Sequence, residues 1–399
     1  MPRVLRIINR FNLGGPTYNA AYLSKYLEPE FETLLIGGQK DASEGSSEYI
    51  VENLGLKPRV LPEMKRSIDP LKDLKALIKV RKIIKEFKPD IVHTHASKAG
   101  TIGRIAASQL KVPVIVHTFH GHVFHSYFSK LKTNIYKGIE RNLAKKSDRI
   151  IAISEIQKHE LSEEHKICSS DKITVVPLGF DLERFTVNQD QLRKSFREQY
   201  KLANDEIAIG IIGRLVPIKN HQYFLESVKA IKEQNNKKLK FFIIGDGELK
   251  SELLDSCKTL GLKAGSENKP GVDVVFTSWI KQVEGPCAGL EIICLSSLNE
   301  GTPVSLIEAH AAAKPVVSSN VGGIENVVLK NESAFLSSKT DNTEFIEGLL
   351  KLIESEELRN TMGQAGREFV MKRYHYIRLV DDIGRLYREL LDSKGPLAS

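Results

Sequence analysis

The sequence predicts two doubly wound α/β domains, and three observations carry that expectation. Apolar runs of about five residues alternate with amphipathic stretches of roughly ten to twenty. The alternation stops in a polar stretch at 185–205, which reads as the linker between the domains, and then begins again. A chain of 399 residues is also too long for one ordinary core and suits two of roughly 150–200 residues.

In the first half the strand candidates are 4–8, 33–36, 91–94, 114–118, 150–153 and 173–176, with helical stretches at 18–27, 71–87 and 130–145. Continuous Val/Ile/Leu runs joined by helical crossovers indicate a parallel sheet buried on both faces. In the second half the candidates are 207–212, 240–244, 272–276, 291–295 and 315–318. The expected division is a first domain over 1–190, a second over 191–373 and a terminal helix within 374–399. That helix either caps the second domain or crosses back to the first. Ligands of such sheets bind beyond the carboxyl ends of the strands, so the expected site is a cleft between two facing domains.

Composition narrows the class. With 41% hydrophobic and 27% charged residues the chain reads as a soluble globular protein. Its longest apolar runs, such as 207–212 and 241–244, fall far short of the ~20 residues of a membrane span. The N-terminal MPRVLRIINR has no signal-peptide core, which gives a cytoplasmic expectation. The four cysteines, Cys168, Cys257, Cys287 and Cys294, form no C-x-x-C pair and read as reduced structural thiols. Net charge is +8, and it is lopsided. Residues 1–185 carry 30 Lys and Arg against 21 Asp and Glu, whereas 186–399 carry 28 against 29. Positive charge confined to one half suggests an anionic partner, either nucleic acid or a phospholipid surface.

Three motifs carry chemistry. Gly14-Gly15-Pro16 follows the first strand and opens the first helix, where free N–H groups favour an anion; a structural turn explains it equally well. No G-x-G-x-x-G or Walker-type sequence occurs, which lowers the dehydrogenase and NTPase readings. Gly213-Arg214, with Lys219 five residues on, sits where the second domain's first strand turns into a helix. A planar fork and a mobile ammonium together neutralise a diphosphate, although a strand-end arginine is often merely solvated. The third motif runs from Glu300 through Gly301, Thr302, Pro303 and Val304 to Glu308. Here a Gly-Pro turn leads into a helix over 304–313, offering N–H groups to an anion or sugar oxygens, with Glu308 one turn inside to accept from a ribose diol. Two carboxylates also suit a metal, a glycosidase pair or plain solvation; the neighbouring cations favour a phosphorylated ligand.

Histidines gather at strand ends: His93, His95, His117, His120, His122 and His125. Without Cys or Glu ligands beside them a zinc site is disfavoured, and one histidine, His120, is expected to face the cleft.

At these residues the chain resembles the family-4 retaining glycosyltransferases of the GT-B fold. The resemblance spans almost the whole chain: Gly14-Gly15, Thr118-Phe119-His120, Val176-Pro177-Leu178-Gly179-Phe180-Asp181 with Arg184-Phe185, Gly213-Arg214…Lys219, Gly245-Asp246-Gly247, and Glu300 to Glu308 as E-x7-E. The stretch from His93 to Gly100 is similar to bacterial enzymes that build lipid-linked surface glycans. The resemblance implies a nucleotide-sugar donor, UDP-linked, and a glycan or polyprenyl-diphosphate-linked acceptor. It also implies same-face transfer with no cofactor and no divalent metal, and no D-x-D sequence is present. Arg214 and Lys219 would bind the diphosphate, Glu300 and the backbone of 301–304 the sugar hydroxyls, and Glu308 the ribose. Gly213 and Gly247 would line the donor site, Gly14 and Gly15 would approach the diphosphate, and His120 would lie beside the transferring sugar. Pro16-Thr17 departs from the small or acidic residue usual after the Gly-Gly pair.

Two rival readings remain: a GT-B sugar-nucleotide epimerase, which turns over donor without acceptor, and a nucleic-acid-binding protein. No recognition helix, zinc module or aromatic-basic interleaving supports the latter. A phospholipid surface is the better anionic partner. Between Lys57 and Lys88 lie eleven Lys and Arg against four Asp and Glu. There Asp69-Pro70 starts a helix on which Lys72, Lys75, Lys79 and Lys82 share one face, with Leu74, Leu77, Ile78, Ile84 and Phe87 largely elsewhere. The stripe reads either as a solvated face over a core-facing helix or as a surface that docks on an anionic inner leaflet, and the second reading gives a peripheral position on the inner face of the cell membrane as an expectation.

Overall fold

The computed structural model describes residues 1–11, 15–39, 48–65, 69–121 and 130–395. Gly14, His122 and His125 lie outside the described residues. The chain forms two compact units, Met1–Phe180 together with Tyr374–Ser399, and Asp181–Arg373.

The first unit is built on strands β1 (Arg3–Arg10), β2 (Glu32–Gly38), β3 (Arg59–Leu61), β4 (Ile91–His95), β5 (Val114–Thr118), β6 (Arg149–Ala152) and β7 (Ile173–Val175). They form one parallel sheet in the order β3-β2-β1-β4-β5-β6-β7. One face packs against the helices Pro70–Phe87 and Ser97–Gln109. The other is covered by Gly15–Tyr26 and the terminal helix Tyr376–Asp392, through Leu23, Leu27, Leu379, Ile383 and Tyr387.

The terminal helix therefore belongs to the first unit. Its anchor is the segment after β7: Phe180 N–H donates to the Tyr374 carbonyl at 2.8 Å, Tyr376 N–H to the Phe180 carbonyl at 3.0 Å, and Arg378 to the carbonyls of Pro177 and Leu178, each at 2.8 Å.

The second unit repeats the plan with β8 (Ile207–Ile212), β9 (Leu239–Ile244), β10 (Ala264–Gly265), β11 (Val274–Ser278), β12 (Ile292–Leu295), β13 (Val316–Ser319) and β14 (Ala334–Ser337), ordered β10-β11-β9-β8-β12-β13-β14 and parallel throughout. Its core includes Ile209, Ile211, Phe224, Phe241, Ile243 and Leu349. In each sheet strand order reverses once, beside β1 and β4 in the first and beside β8 and β12 in the second. These are the positions where α/β sheets open a crevice for a ligand.

Two expectations need correction. The stretch 185–205 is not a linker, and the units divide at 180/181 rather than 190. Gln189–Gln199 is a helix of the second unit, held by Phe196 against Gly289 and by Arg197, which donates to Glu291 at 3.0 Å. A single buried apolar face on an otherwise charged helix disguised it.

The second correction concerns Pro70–Phe87. Its buried positions are Ala76, Val80, Ile83 and Ile84, so Leu74 and Ile78 do not face the core. Leu71, Leu74 and Ile78 are 75%, 55% and 58% exposed. The lysines are exposed as expected, yet Lys72 pairs with Asp69, Lys79 with Glu63 and Lys82 with Glu86.

Candidate functional site

In the second unit the chemistry-bearing residues converge on the switch point. Gly213 and Arg214 leave the carboxyl end of β8, and Ser296 to Glu300 leave that of β12 next to it. Between them the short turn Pro217–Lys219 returns the chain, held by the Ser296 hydroxyl, which donates to the carbonyls of Lys219 at 3.0 Å and Asn220 at 2.9 Å. The Lys219 ammonium pairs with Glu300 Oε1, which also accepts from the Ser297 hydroxyl at 2.6 Å. Glu300 Oε2 takes no hydrogen bond among the described residues, and two ammonium donors of Lys219 remain over. Arg214 is exposed, and among the described residues its guanidinium has neither an ion-pair nor a hydrogen-bond partner. One free cation, one half-engaged cation and one open carboxylate oxygen thus share the crevice.

Glycines bring the backbone segments together. A Cβ on Gly247 would lie 2.4 Å from the Leu215 carbonyl oxygen, so only glycine lets the loop after β9 press against the turn after β8. Gly213 and Gly301 differ: a Cβ on Gly213 would come no nearer than 3.7 Å to Lys219, and one on Gly301 would meet nothing within 4 Å. Packing does not demand glycine at either position, and a ligand approaching the backbone there would.

Thr302 and Pro303 lead into the helix Val304–Ala311, which has no side-chain cap; Leu306 N–H donates to the Pro303 carbonyl at 3.1 Å, whereas the N–H groups of Val304 and Ser305 take no partner from the helix itself. Glu308 sits one turn in. Arg184, which sequence reasoning quoted but gave no role, donates to Glu308 Oε1 at 3.1 Å and pairs with Glu284 at 3.3 Å. Burial outweighs that guanidinium, and Glu284 adds a second negative charge, so the Glu308 carboxyl is pushed up to about 7.

The Gly322-Gly323 loop after β13 was also missed. Gly323 N–H donates to the Glu300 carbonyl at 2.9 Å, and a Cβ there would stand 1.8 Å from the Gly301 carbonyl oxygen. A Gly-Gly pair shortly after a strand was the available signal.

In the first unit Gly15 opens its helix and is tied down by Asn19, whose amide donates to the Gly15 carbonyl at 3.0 Å and accepts from Gly179 N–H at 3.2 Å. His120 follows β5, and its Nε2 lies 2.8 Å from His95 Nδ1. His93 and His95 are fully buried, and burial first, then neighbouring positive charge, holds both well below the usual imidazole range. His117 turns to the other face and meets the Thr94 hydroxyl at 2.8 Å. Among the described residues no group of three His, Cys, Asp or Glu side chains is arranged to hold a metal ion. Nor is any described helix long and apolar enough to cross a membrane.

Residues 13–184 match the Glycosyltransferase Family 4 model, and residues 193–369 match Glycosyl transferases group 1. The chain is 33% identical over 345 residues to an Escherichia coli UDP-Gal:alpha-D-GlcNAc-diphosphoundecaprenol alpha-1,3-galactosyltransferase, spanning 84% of each chain. It is 30% identical over 352 residues to the capsular polysaccharide biosynthesis glycosyltransferase CapM of Staphylococcus aureus, spanning 84% of this chain and 86% of that one. Among solved structures, Anabaena Alr3699/HepE in complex with UDP superposes with a TM-score of 0.80 at 18% identity, covering 98% of this chain and 100% of that one. The apo lipopolysaccharide outer core galactosyltransferase WaaB gives 0.72 at 15%, covering 97% and 99%. With a relative of 33% identity along 84% of its length and one family description on each half, the chain belongs to the Family 4 and group 1 glycosyltransferases and is a glycosyltransferase of the GT-B fold.

Proposed function

We propose that this enzyme is a retaining transferase that moves a hexose or N-acetylhexosamine from a UDP-linked donor to a polyprenyl-diphosphate-linked glycan acceptor, at an anionic membrane surface and without a divalent metal. The observation that carries the reading is the 33% identity, along 84% of both chains, to an enzyme whose name specifies a UDP-sugar and a diphosphate-lipid acceptor. The crevice supports it chemically. Arg214 and Lys219 bind the donor diphosphate and stabilise it as it leaves. Glu300 Oε2 and the N–H groups after Gly301 hold sugar hydroxyls, and Glu308 accepts from the ribose. Gly213 and Gly247 keep the backbone close to the ligand. In the first unit Gly15 offers a close backbone approach, and His120 donates to a substrate oxygen.

Transfer creates an oxocarbenium-like sugar and a departing diphosphate. Fixed cations and N–H dipoles stabilise both charges as they develop. The leaving phosphate oxygen accepts the proton of the acceptor hydroxyl, so the new bond forms on the face from which the diphosphate departs. Thermal stabilisation by a panel of nucleotide sugars identifies the donor, and mass spectrometry of a diphosphate-lipid acceptor identifies the product. Stabilisation by no UDP-sugar, or consumption of donor without acceptor, contradicts the reading.

Because cationic side chains take the place of a divalent ion, transfer is expected to persist after dialysis against excess EDTA. Activity lost on chelation and restored by Mg²⁺ or Mn²⁺ would remove the metal-free mechanism.

The membrane surface rests on the helix Pro70–Phe87. Leu71, Leu74 and Ile78 crown its outward side, with Lys75, Lys82 and Lys85 beside them. Apolar side chains between lysines suit an interface of anionic headgroups over acyl chains. Each unpaired lysine there contributes about 1 kcal/mol, and the three already paired with carboxylates contribute less. The chain is expected to sediment with anionic vesicles and not with neutral ones. Replacing Lys72, Lys75, Lys79 and Lys82 by Gln lowers binding at low salt only. Replacing Leu71, Leu74 and Ile78 by Ser lowers what survives at about 0.5 M salt. Wild-type chain left in the supernatant with anionic vesicles refutes the docking surface.

A further inference from the structure

The first unit contains a buried charge that the proposed chemistry leaves unused. Arg6 lies in the middle of β1 and is fully buried, and among the described residues no carboxylate pairs with it. Its immediate surroundings are neutral groups from two elements. Nη1 stands 3.0 Å from His93 Nδ1 and 3.3 Å from His95 Nε2, both on β4. The Tyr387 hydroxyl, from the terminal helix, lies 2.6 Å from the same His93 nitrogen. From His95 the contacts continue outward, Nδ1 to His120 Nε2 at 2.8 Å, with the rings of His93, His95 and His120 stacked in succession.

A guanidinium only donates hydrogen bonds, and a neutral imidazole has one donor nitrogen and one acceptor nitrogen. His95 Nε2 therefore offers its lone pair to Arg6 and carries its proton on Nδ1. That proton is donated to His120 Nε2, so the proton of His120 resides on Nδ1. The opposite arrangement would set His95 Nε2–H against the Arg6 N–H. His120 Nδ1 is buried and, among the described residues, has no partner. It borders a small cavity lined by Asn19, His95, Thr118, Leu178 and Ile383 among others.

We propose that Arg6 is a positioning residue that fixes the tautomer of His120 through His95, holding His120 as a neutral Nδ1–H donor for a hydroxyl or phosphoryl oxygen of the substrate. The inference rests on the assignment of His120 to substrate made above. It also excludes a role for His120 as general base, because Nε2 is already accepting and Nδ1 is already protonated. The groups facing the cluster keep it neutral. Arg6 is the nearby cation, Thr118 accepts from His93 Nε2 at 2.7 Å, and burial pushes His120 down to about 3.

The test is a two-bond ¹H–¹⁵N correlation spectrum of the full chain labelled with ¹⁵N-histidine, with signals assigned by their loss in His120→Leu and His95→Leu. The wild type is expected to show His95 and His120 as Nδ1–H tautomers and His93 as Nε2–H. Arg6→Met is expected to move His95 and His120 to the Nε2–H form, and to lower kcat about tenfold with little change in donor KM, the loss of roughly one hydrogen bond. Arg6→Lys keeps a donor and restores both tautomers and rate. His95→Leu, which cuts the relay, frees the His120 tautomer even if Arg6→Met does not fold. A wild-type His120 protonated on Nε2, or a folded Arg6→Met with unaltered tautomers, overturns the relay. A normal kcat in His120→Leu overturns instead the assignment of His120 to substrate, and it is read without reference to the spectrum.

Discussion

Replacing Arg214 or Lys219 with alanine is expected to lower kcat by about 10²–10³-fold while donor KM changes far less. The asymmetry follows from when the charge appears. The diphosphate carries negative charge in the bound donor, and it gains more as the glycosidic bond breaks, so a cation that touches it binds the transition state more tightly than the ground state. Arg214 is poised for this by being exposed and unpaired among the described residues. Lys219 is half engaged by Glu300. Its loss should cost more than that of Arg214, because it also frees Glu300, which is then held by Ser297 alone. Steady-state kinetics on both variants checks this. Near-normal turnover in both contradicts the donor assignment.

A comparable loss is expected from Gly323→Ala, which acts through the Glu300-Gly301 turn beneath it. The new methyl would stand 1.8 Å from the Gly301 carbonyl oxygen, so the Gly322-Gly323 loop or the Glu300-Gly301 turn must move. A displacement of about 1 Å at a positioning segment costs on the order of 10²-fold in rate. Gly301→Ala is the informative partner. Nothing lies within 4 Å of its added carbon, so its melting temperature should match wild type while donor binding weakens, because the methyl occupies ligand space. Unchanged kinetics in Gly323→Ala, or normal donor affinity in Gly301→Ala, would mean that this turn does not face the donor.

How much of this was legible depended on what each residue does. Central parallel strands announce themselves as unbroken apolar runs, which is why β1, β4, β5, β8, β9 and β12 were visible. The edges were not. Arg59 and Val60 on β3 are exposed, and β10 is two residues of Ala and Gly, so neither carries an apolar pattern. The helix Gln189–Gln199 buries chiefly Phe196 and the stem of Arg197, too little to set a period among its charges. The exposure of Leu74 and Ile78 was not read, because hydrophobicity alone assigns such residues inward.

In the candidate site, polar residues just beyond the ends of central strands stood out, Arg214, Lys219 and Glu300, with Glu308 one turn inside the following helix. Residues acting through other residues did not. Arg184 lies more than a hundred positions from the Glu308 it holds. Gly322-Gly323 matters only through the turn beneath it. Arg6 did leave a signal, an arginine flanked by Leu5 and Ile7 in a strand buried on both faces. Its meaning needed the stacked histidines, which the fold brings from β4 and the end of β5.

The most direct test of the central claim is the stereochemistry of transfer. The purified chain is incubated in EDTA with a UDP-α-sugar and a diphosphate-lipid-linked N-acetylhexosamine, and the anomeric proton of the product is read by NMR. The account predicts one added sugar with an α coupling and UDP released in equal amount. A β product, or UDP-sugar consumed with no change in the acceptor, would contradict it.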